Sequence, residues 1–387
     1  MKSPQVIVED EEIFEAHAAG KLSVRLKAPL DTQRALSIAC TPGVAQVSRA
    51  IAADHTPAAR YTWADRLVAV VSDGSAVLGL GDIGAAASLP VLEGKSALFK
   101  VFAGLDSIPI VLDTKDPDEI VETLVRLRPT FGAVSFEDIA APRCFEIERR
   151  VIDALDCPVM YDDQHCTAIV VLAAMMGAST VLGRDMSSLR MVISGAGAAG
   201  VACANLLLGM GISDITVLDS RGILHPGRGD MNSIKSELAQ RTNPAGRTGG
   251  MAEALNGADV FLGVSAGLVS EELIAAMAPG GIVFAMSNPD PEIHPDVAAR
   301  YAAVVATGRS DFPNQINNVL AFPGVFRGAL DAGARKITQR MMVSAAEAIF
   351  SVVGDDLAPD RIVPSPLDPR VGPTVAAAVA AAAQTEG

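Results

Sequence analysis

Residues 191–200, MVISGAGAAG, decide the fold class of this chain. The first three residues are apolar and lead through Ser194 into the last six, which match G-x-G-x-x-G, and an Ala- and Leu-rich stretch follows at 201–209. A strand, a glycine turn and a helix in this order are typical of a dinucleotide-binding unit, because the glycines let the backbone approach a pyrophosphate at the helix N-terminus. The segment therefore predicts a Rossmann-type fold, against the alternative of a merely tight strand–helix turn.

Asp219 ends the next predicted strand, 24 residues after Gly195. A carboxylate at this place can accept a hydrogen bond from a ribose 2′-OH and repels a 2′-phosphate, which favours NAD. Arg221 lies two residues further on and could bind such a phosphate, so NADP stays possible.

A second match to the same glycine pattern lies at 79–84, GLGDIG. No clean helix is predicted after it, and the segment is interpreted as a structural loop near the active site.

Further apolar runs predict strands that alternate with helical stretches on both sides of the glycine turn. Unbroken apolar strands alternating with helices indicate parallel sheets covered on both faces, so the fold class is α/β. At 387 residues the chain is long enough for two domains. The predicted strands are Leu67–Ser72, Ile108–Leu112, Ala133–Phe136, Val159–Tyr161, Met191–Ser194, Ile215–Leu218, Val260–Gly263, Ile282–Ala285 and Ala303–Thr307.

The first 60 residues are predicted to be mainly helical. Thr41 is expected to cap a helix that has Pro42 in its first turn and runs through Val44 to Ala53.

Composition excludes several classes of protein. Half of the residues are apolar, which argues against disorder, and the 31 basic against 45 acidic residues give a net charge of −14, which argues against nucleic-acid binding. The run Val375–Ala383 is too short to span a membrane, so no membrane partner is expected. The odd number of cysteines, five, includes no C-x-x-C pair, and the first residues lack an apolar signal core. These features indicate reduced thiols and a cytoplasmic location.

Two acidic pairs follow neighbouring predicted strands. Glu137 and Asp138 follow the run 133–136, and Asp162 and Asp163 follow the run 159–161. Both pairs should emerge at the carboxyl edge of one sheet, where converging carboxylates repel each other unless a cation is bound. An all-oxygen ligand set suits Mg²⁺ or Mn²⁺ better than zinc. The alternative is that these acids only cap helices.

Lys95, in the segment EGKS, is a candidate base, since burial or neighbours can depress the pKa of a lysine. A solvated cation is the alternative. Asn288 and the pair Asn317-Asn318 lie in amide-rich turns and could bind a substrate carboxylate or form Asx turns only. His165 is interpreted as a hydrogen-bonded structural residue rather than a ligand.

Taken together, these segments resemble the malic enzyme family in its short bacterial form. The resemblance runs from about residue 21 to 350 and rests on TPGVA (41–45), VAVVSDGSAVLGLGDIG (68–84), LPVLEGKSALFK (89–100), FEDIAAPRCFEIE (136–148), DDQH-x-TAIVVLAA (162–174), SGAGAAG (194–200), SNPDPEI (287–293) and TGRSDFPNQINNVLAFPGVFRGALD (307–331).

The resemblance implies three parts: a catalytic domain at 1–162, a dinucleotide-binding domain at 163–318, and C-terminal helices at 319–387 that return to the first domain. It also implies a homodimer or a larger assembly, NAD or NADP as cofactor, and oxidative decarboxylation of malate to pyruvate and CO₂. The roles it implies are the base Lys95 oriented by Asp162, the metal ligands Glu137, Asp138 and Asp163, the substrate-binding residues Asn288 and Asn318, and the cofactor-binding residues Gly195, Gly197, Ala198, Ala199, Gly200, Asp219 and Asn288.

The sequence departs from the family pattern around the same site. Cys40 stands where the family usually has the Tyr that protonates the enolate, so Cys40 is the third candidate catalytic residue. Tyr161 stands for a common His, Cys166 for a common Gly, and Ser135-Phe136 for Asn-Leu. These changes leave two alternatives open, a relative that acts on another 2-hydroxy acid and a weakly catalytic protein that binds the cofactor and a partner.

Overall fold

The computed structural model describes residues 8–56, 58–77 and 80–385 of the chain, and these contain two sheets. The first sheet has the order β2-β1-β3-β4, and all of its strands are parallel. Its strands are β1 (Leu67–Ser72), β2 (Asp106–Val111), β3 (Ala133–Phe136) and β4 (Val159–Tyr161). The second has the order β10-β9-β8-β5-β6-β7 and is parallel except for β7. Its strands are β5 (Arg190–Ser194), β6 (Asp214–Asp219), β7 (Gly222–Ile223), β8 (Val260–Gly263), β9 (Gly281–Ala285) and β10 (Ala302–Thr307).

Helices cover both sheets, and a π-helical turn, Asp162–Cys166, links the first sheet to the second. The helices of the N-terminal half are α1 (Asp10–His17), α2 (Gln33–Ala39), α3 (Gly43–Ala53), α4 (Ala58–Tyr61), α5 (Ala85–Ala103), α6 (Pro117–Leu127), α7 (Arg143–Ala154) and α8 (Thr167–Leu182). Those of the C-terminal half are α9 (Ala198–Gly209), α10 (Ser233–Arg241), α11 (Met251–Leu255), α12 (Glu271–Ala275), α13 (Pro295–Ala298), α14 (Phe322–Asp331), α15 (Gln339–Val353) and α16 (Val371–Gln384).

The predicted α/β class is confirmed, and each predicted strand lies within two residues of an observed one. The central strands were predictable because they are apolar on both faces and fully buried, as in β1 and β8. The short strand β7 was missed, because two residues that pair antiparallel with β6 carry no periodic signal.

The expectation that no clean helix follows the glycine turn at 79–84 is wrong. Helix α5 begins at Ala85, directly after Gly84, and continues for 19 residues. Pro90 and Gly94 lie inside it, and such residues usually interrupt helices, which hid this one from the pattern. Gly79 of the turn lies outside the described residues.

The predicted cap at Thr41 is also wrong. Helix α3 begins at Gly43, and its N-cap is Pro42. The chain turns tightly here, since the Val44 N–H bonds Cys40 O at 2.8 Å and a Cβ on Gly43 would lie 2.2 Å from Ile38 O. A glycine is required by that close approach, and the helix starts at it.

One large apolar core joins the two sheets, and each sheet also has a smaller core of its own on its other face. Buried residues of α5, α8, α9, α14, α15 and α16 belong to the same apolar cluster. Phe99 of α5 packs edge-on against Phe322 and Phe326 of α14, with ring centroids 4.8 and 5.4 Å apart. The C-terminal helices therefore lie against the helix that carries Lys95.

The apolar stretch Asp162–Leu182 is long enough to cross a bilayer by length and composition, and it exceeds the run at 375–383 noted in the sequence. In the fold, 67% of its most apolar part is buried, and a core helix passes the same test. No assignment to a membrane follows from it.

Candidate functional site

Both acidic pairs lie where the sequence predicts, at the carboxyl ends of two paired strands. Strands β3 and β4 pair in register, with Phe136 opposite Tyr161, so the residues after them face each other. Glu137, Asp138 and Asp163 each offer a carboxylate oxygen, and these oxygens lie within 4.8 Å of one another. Glu137 and Asp138 are buried and Asp163 is partly buried.

The electrostatics of this carboxylate cluster favour a bound divalent cation. Burial and the neighbouring Asp163 and Asp162 raise the pKa of Glu137 well above its usual range, although Lys95 opposes the shift. Burial and Asp162 likewise raise the pKa of Asp163. Four carboxylates thus face a single nearby ammonium group, and an all-oxygen donor set of this kind fits Mg²⁺ or Mn²⁺.

Lys95 lies at the centre of the cluster, on the buried face of α5. Its Nζ is 2.5 Å from Asp162 Oδ2 and 3.1 Å from Glu137 Oε2, and it lies 4.2 Å from the ring centre of Phe322. Burial alone lowers the pKa of Lys95, but the attraction of Asp162 and Glu137 outweighs it, so the pKa stands above its ordinary value. The expectation of a depressed pKa is therefore reversed in this structure, because the sequence cannot tell how many carboxylates surround the ammonium group.

Asn318 supports the lysine through Asp162. Its Nδ2 donates to Asp162 Oδ2 at 3.0 Å, and its Oδ1 accepts from Thr167 Oγ1 at 3.3 Å. Asn317 forms an Asx turn with Val319, as one of the sequence alternatives predicted. Asn288 is exposed after β9, next to Gly308, where a Cβ would lie 2.8 Å from Asn288 Nδ2.

The glycine turn after β5 has the geometry of a pyrophosphate cradle. Gly195 has φ +129°, and a Cβ on Gly200 would lie only 1.8 Å from Gly195 O, so the turn needs both glycines. Nothing lies within 4 Å of a Cβ on Gly197, which leaves open space in front of the helix N-terminus. Ala198 and Ala199 begin α9, so their N–H groups belong to that positive end.

A cavity of about 570 Å³ opens at this turn. It is lined by Gly195, Gly197 and Asp219, by Ser265 after β8, and by Pro142. Strands β5 and β8 are neighbours at the point where the strand order reverses, which is where open α/β sheets bind their ligands. Because Pro142 belongs to the loop that follows Asp138, one loop borders both the cavity and the carboxylate cluster.

Asp219 is more fully bonded than the sequence suggested. Its Oδ1 accepts from Arg221 N and Arg228 Nη1, both at 2.9 Å. Its Oδ2 accepts from Arg228 Nη2 at 3.2 Å and Lys235 Nζ at 2.8 Å. Burial alone raises the pKa of Asp219, but these donors outweigh it and lower the pKa to about 2. Arg221 itself directs its guanidinium to Asp230, at 3.0 Å.

Cys40 lies in a part of the fold unlike that of the buried carboxylate cluster. It is exposed at the end of α2. Among the described residues from 8 to 66, none is buried.

Several residues at the site are not marked by any pattern in the sequence. Arg228 and Lys235 lie 9 and 16 residues beyond Asp219 and follow a hairpin that was not predicted. Arg143 Nη2 bonds Asp73 Oδ2 at 2.8 Å and Ser75 Oγ at 2.9 Å, which ties two loops together beside the cluster. The spacing of these residues in the sequence indicates neither of these two groups of contacts. The interpretation of His165 as structural is confirmed, since its Nε2 lies 3.0 Å from Glu148 Oε2.

Comparison with known proteins places this geometry in a family. Residues 19–152 match the family model "Malic enzyme, N-terminal domain", and residues 165–384 match "Malic enzyme, NAD binding domain".

Three of the similar relatives match over more than four fifths of their own length. A bifunctional malic/malolactic enzyme of Bacillus subtilis is 50% identical, covering 97% of this chain and 93% of that protein. An NAD-dependent malic enzyme of Geobacillus stearothermophilus is 47% identical, covering 100% and 81%. An NADP-dependent malic enzyme of Halomonas elongata is 46% identical, covering 95% and 91%.

A crystal structure of the NAD-dependent malic enzyme from Thermotoga maritima superposes with a TM-score of 0.92 at 41% identity, covering 97% of this chain and 99% of that one. The carboxylate cluster, the buried lysine and the glycine turn thus lie on the fold that this family shares, and the chain belongs to the malic enzyme family.

Proposed function

We propose that this protein oxidises and decarboxylates malate to pyruvate and CO₂ with NAD or NADP and a divalent metal. The observation that carries the proposal is Lys95, held between Asp162 and Glu137 in a carboxylate cluster that shares a loop with the dinucleotide cavity. The similarity to proteins named malic enzymes supports the same reaction.

In the proposed reaction Lys95, as the neutral amine, takes the proton of the C2 hydroxyl of malate, and C2 gives its hydride to the nicotinamide. A cation held by the neighbouring carboxylates would lower the pKa of the Lys95 ammonium and so favour the neutral amine. The C3–C4 bond of the resulting ketone then breaks, which releases CO₂ and leaves the enolate of pyruvate, and C3 takes up a proton. Asp162 and Asn318 keep the lysine Nζ in place. Asn288 is proposed to bind the substrate carboxylate where the substrate meets the cofactor.

Glu137, Asp138 and Asp163 would hold the metal ion, Mg²⁺ or Mn²⁺. When bound, the ion polarises the C2 oxygen and stabilises the enolate. A substrate oxygen bound at that site would be close to Lys95, whose Nζ lies 3.1 Å from Glu137 Oε2.

The test is NADH and NADPH formation with malate and Mn²⁺, followed by a panel of other 2-hydroxy diacids. Pyruvate and lactate are both measured, because the relative from Bacillus subtilis is named a bifunctional malic/malolactic enzyme. Stoichiometric pyruvate from malate supports the proposal. Turnover of another acid alone, or cofactor binding without turnover, contradicts it and favours one of the two alternatives.

NAD is proposed as the better cofactor, because the Asp219 carboxylate stays ionised beside the ribose position and repels a 2′-phosphate. Asp219→Ser is expected to lower the ratio of kcat/KM with NAD to kcat/KM with NADP by about tenfold, or about 1.4 kcal/mol. The matched control is Asp230→Ser, which removes another carboxylate bonded to Arg228 but one that does not line the cavity at the glycine turn. A wild-type preference for NADP would mean that Arg228 and Lys235 dominate instead.

Cys40 is proposed to take the place of the usual phenol in proton transfer to the enolate. The thiol is shorter than Tyr by a ring, and general acid catalysis contributes about 10²–10⁴-fold, so pyruvate formation should be slow relative to hydride transfer. Cys40→Tyr is expected to raise malate turnover several-fold, measured as kcat with saturating malate. The control is Cys157→Ser. Cys157 is a buried cysteine just before the amino end of β4, whereas the turn at Asp162 follows its carboxyl end. No gain in the Cys40→Tyr variant would contradict this role.

A homodimer is proposed, and the N-terminal segment supports it. Phe14, Val24 and Leu26 are 78%, 83% and 65% exposed in one chain. Apolar surface of this extent is typical of a protein interface. The mass in solution, measured by light scattering, tests the proposal.

A cytoplasmic location is proposed as well, because all five cysteines are free thiols. The chain is also proposed to divide into its three parts after residues 162 and 318.

A further inference from the structure

Tyr161, the last residue of β4, directs a buried hydroxyl at the loop that follows β3. Only 2% of the residue is exposed. The hydroxyl accepts from Ile139 N at 3.1 Å and donates to Ile139 O at 2.8 Å, so a single side chain satisfies both backbone groups of one loop residue. The loop in question carries Glu137 and Asp138.

The loop needs such a support because Asp138 has an unfavourable backbone conformation. Its φ is +54°, in the left-handed region that residues with a Cβ seldom adopt. On one side the Asp138 N–H bonds Asp163 Oδ2 at 3.2 Å, and Asp138 O accepts from Ala76 N at 3.0 Å. On the other side the next residue, Ile139, is held by the Tyr161 hydroxyl.

Tyr161 is also fixed to the segment that carries the third ligand. Asp163 follows it by two residues, in the π-helical turn that continues directly from β4. The Tyr161 N–H donates to Glu148 Oε1 at 2.6 Å, and Glu148 Oε2 is 3.0 Å from His165 Nε2. The start of the π-helical turn is thereby anchored to α7.

We propose that the Tyr161 hydroxyl is a positioning group of the divalent-metal site, which locks the Asp138 loop against the Asp163 segment so that their carboxylates converge. The inference rests on the proposed metal site and goes beyond it, because Tyr161 contacts the loop that carries two of the ligands, at Ile139, rather than the reacting atoms. A hydroxyl engaged with Ile139 on both sides is not free to protonate the enolate, so Tyr161 does not replace the missing phenol of the family.

The test is Mn²⁺ binding by the full-length protein, followed by the electron paramagnetic resonance signal of free Mn²⁺. Tyr161→Phe removes the hydroxyl and keeps the ring, and it is expected to weaken Mn²⁺ binding by about 10–100-fold, as groups that orient metal ligands usually do. NAD binding should stay unchanged, and kcat at saturating Mn²⁺ should approach that of the wild type. The matched control is Tyr301→Phe, which loses a hydroxyl bonded to Glu271 at 2.7 Å away from the site.

Tyr161→His keeps a ring N–H pointing from the same strand end and is expected to bind Mn²⁺ more tightly than Tyr161→Phe. The proposal is overturned if Tyr161→Phe weakens binding no more than Tyr301→Phe does, or if it lowers kcat at saturating Mn²⁺ while the affinity is intact. The metal site itself is checked separately. Wild-type protein that binds no Mn²⁺ sensitive to Asp163→Ala would contradict the proposed function rather than the role of Tyr161.

Discussion

Asp163→Ala is expected to lower malate turnover by at least about 10³-fold, because polarisation of the C2 oxygen by a metal is worth several kcal/mol of barrier. The variant removes one of three carboxylates whose oxygens lie within 4.8 Å of one another. It also removes the acceptor of the Asp138 N–H, which bonds Asp163 Oδ2 at 3.2 Å, so a second ligand loses its orientation. Initial rates with Mn²⁺ varied over a wide range measure the loss.

NAD affinity is the first control for this variant. Because the glycine turn belongs to the other sheet, the dissociation constant of NAD should change by less than about twofold. The second is Asp153→Ala, which removes an exposed carboxylate 3.8 Å from Arg149 on α7 and should leave turnover unchanged. Chelation of the wild type should stop turnover reversibly. An Asp163→Ala enzyme with ordinary rates would refute the assignment of the ligand.

Lys95→Met is expected to lower turnover by about 10²–10⁴-fold, the usual contribution of a positioned acid–base group. Methionine is unbranched and only one atom shorter than lysine, but it cannot exchange a proton. The loss should appear in kcat with malate and Mn²⁺ saturating, while NAD binding is retained. The variant also leaves Asp162 and Glu137 without their ammonium partner, so its melting temperature is measured in parallel.

Lys100→Met is the matched control, because Lys100 lies on the same helix but is exposed and bonded to Asp106 at 2.7 Å. Lys95→Arg separates charge from proton transfer, since arginine keeps the positive charge and does not deprotonate in proteins. Turnover restored by Lys95→Arg would show that the charge alone matters and that Lys95 is not the base.

The sequence predicted what depends on local pattern. Apolar runs buried on both faces marked β1 and β8, and the parallel order of strands then brought Glu137 and Asp163 to one edge. The glycine turn could be predicted because its conformation excludes most side chains. A Cβ on Gly200, for example, would lie only 1.8 Å from Gly195 O. These features follow from residues close together in the chain.

What escaped prediction depends on residues that meet only in the folded chain. The pKa of Lys95 rises because two carboxylates, more than 40 residues away in sequence, lie within 3.1 Å of its Nζ. Asp219 is bonded by Arg228 and Lys235 across an unpredicted hairpin. Helix α5 was hidden by Pro90 and Gly94, whose local preference is overridden by the packing of its buried face.

The packing of α14 against α5 has a consequence for how the protein is made. Arg327 Nη1 bonds Ala103 O at 3.1 Å, across 224 residues of sequence, and Phe322 and Phe326 complete the apolar surroundings of Phe99. A chain emerging from the ribosome completes β1 to β4 long before these phenylalanines are synthesised. The N-terminal sheet of the nascent chain therefore has one side of its lysine-bearing helix uncovered until Phe322, Phe326 and Arg327 have been synthesised.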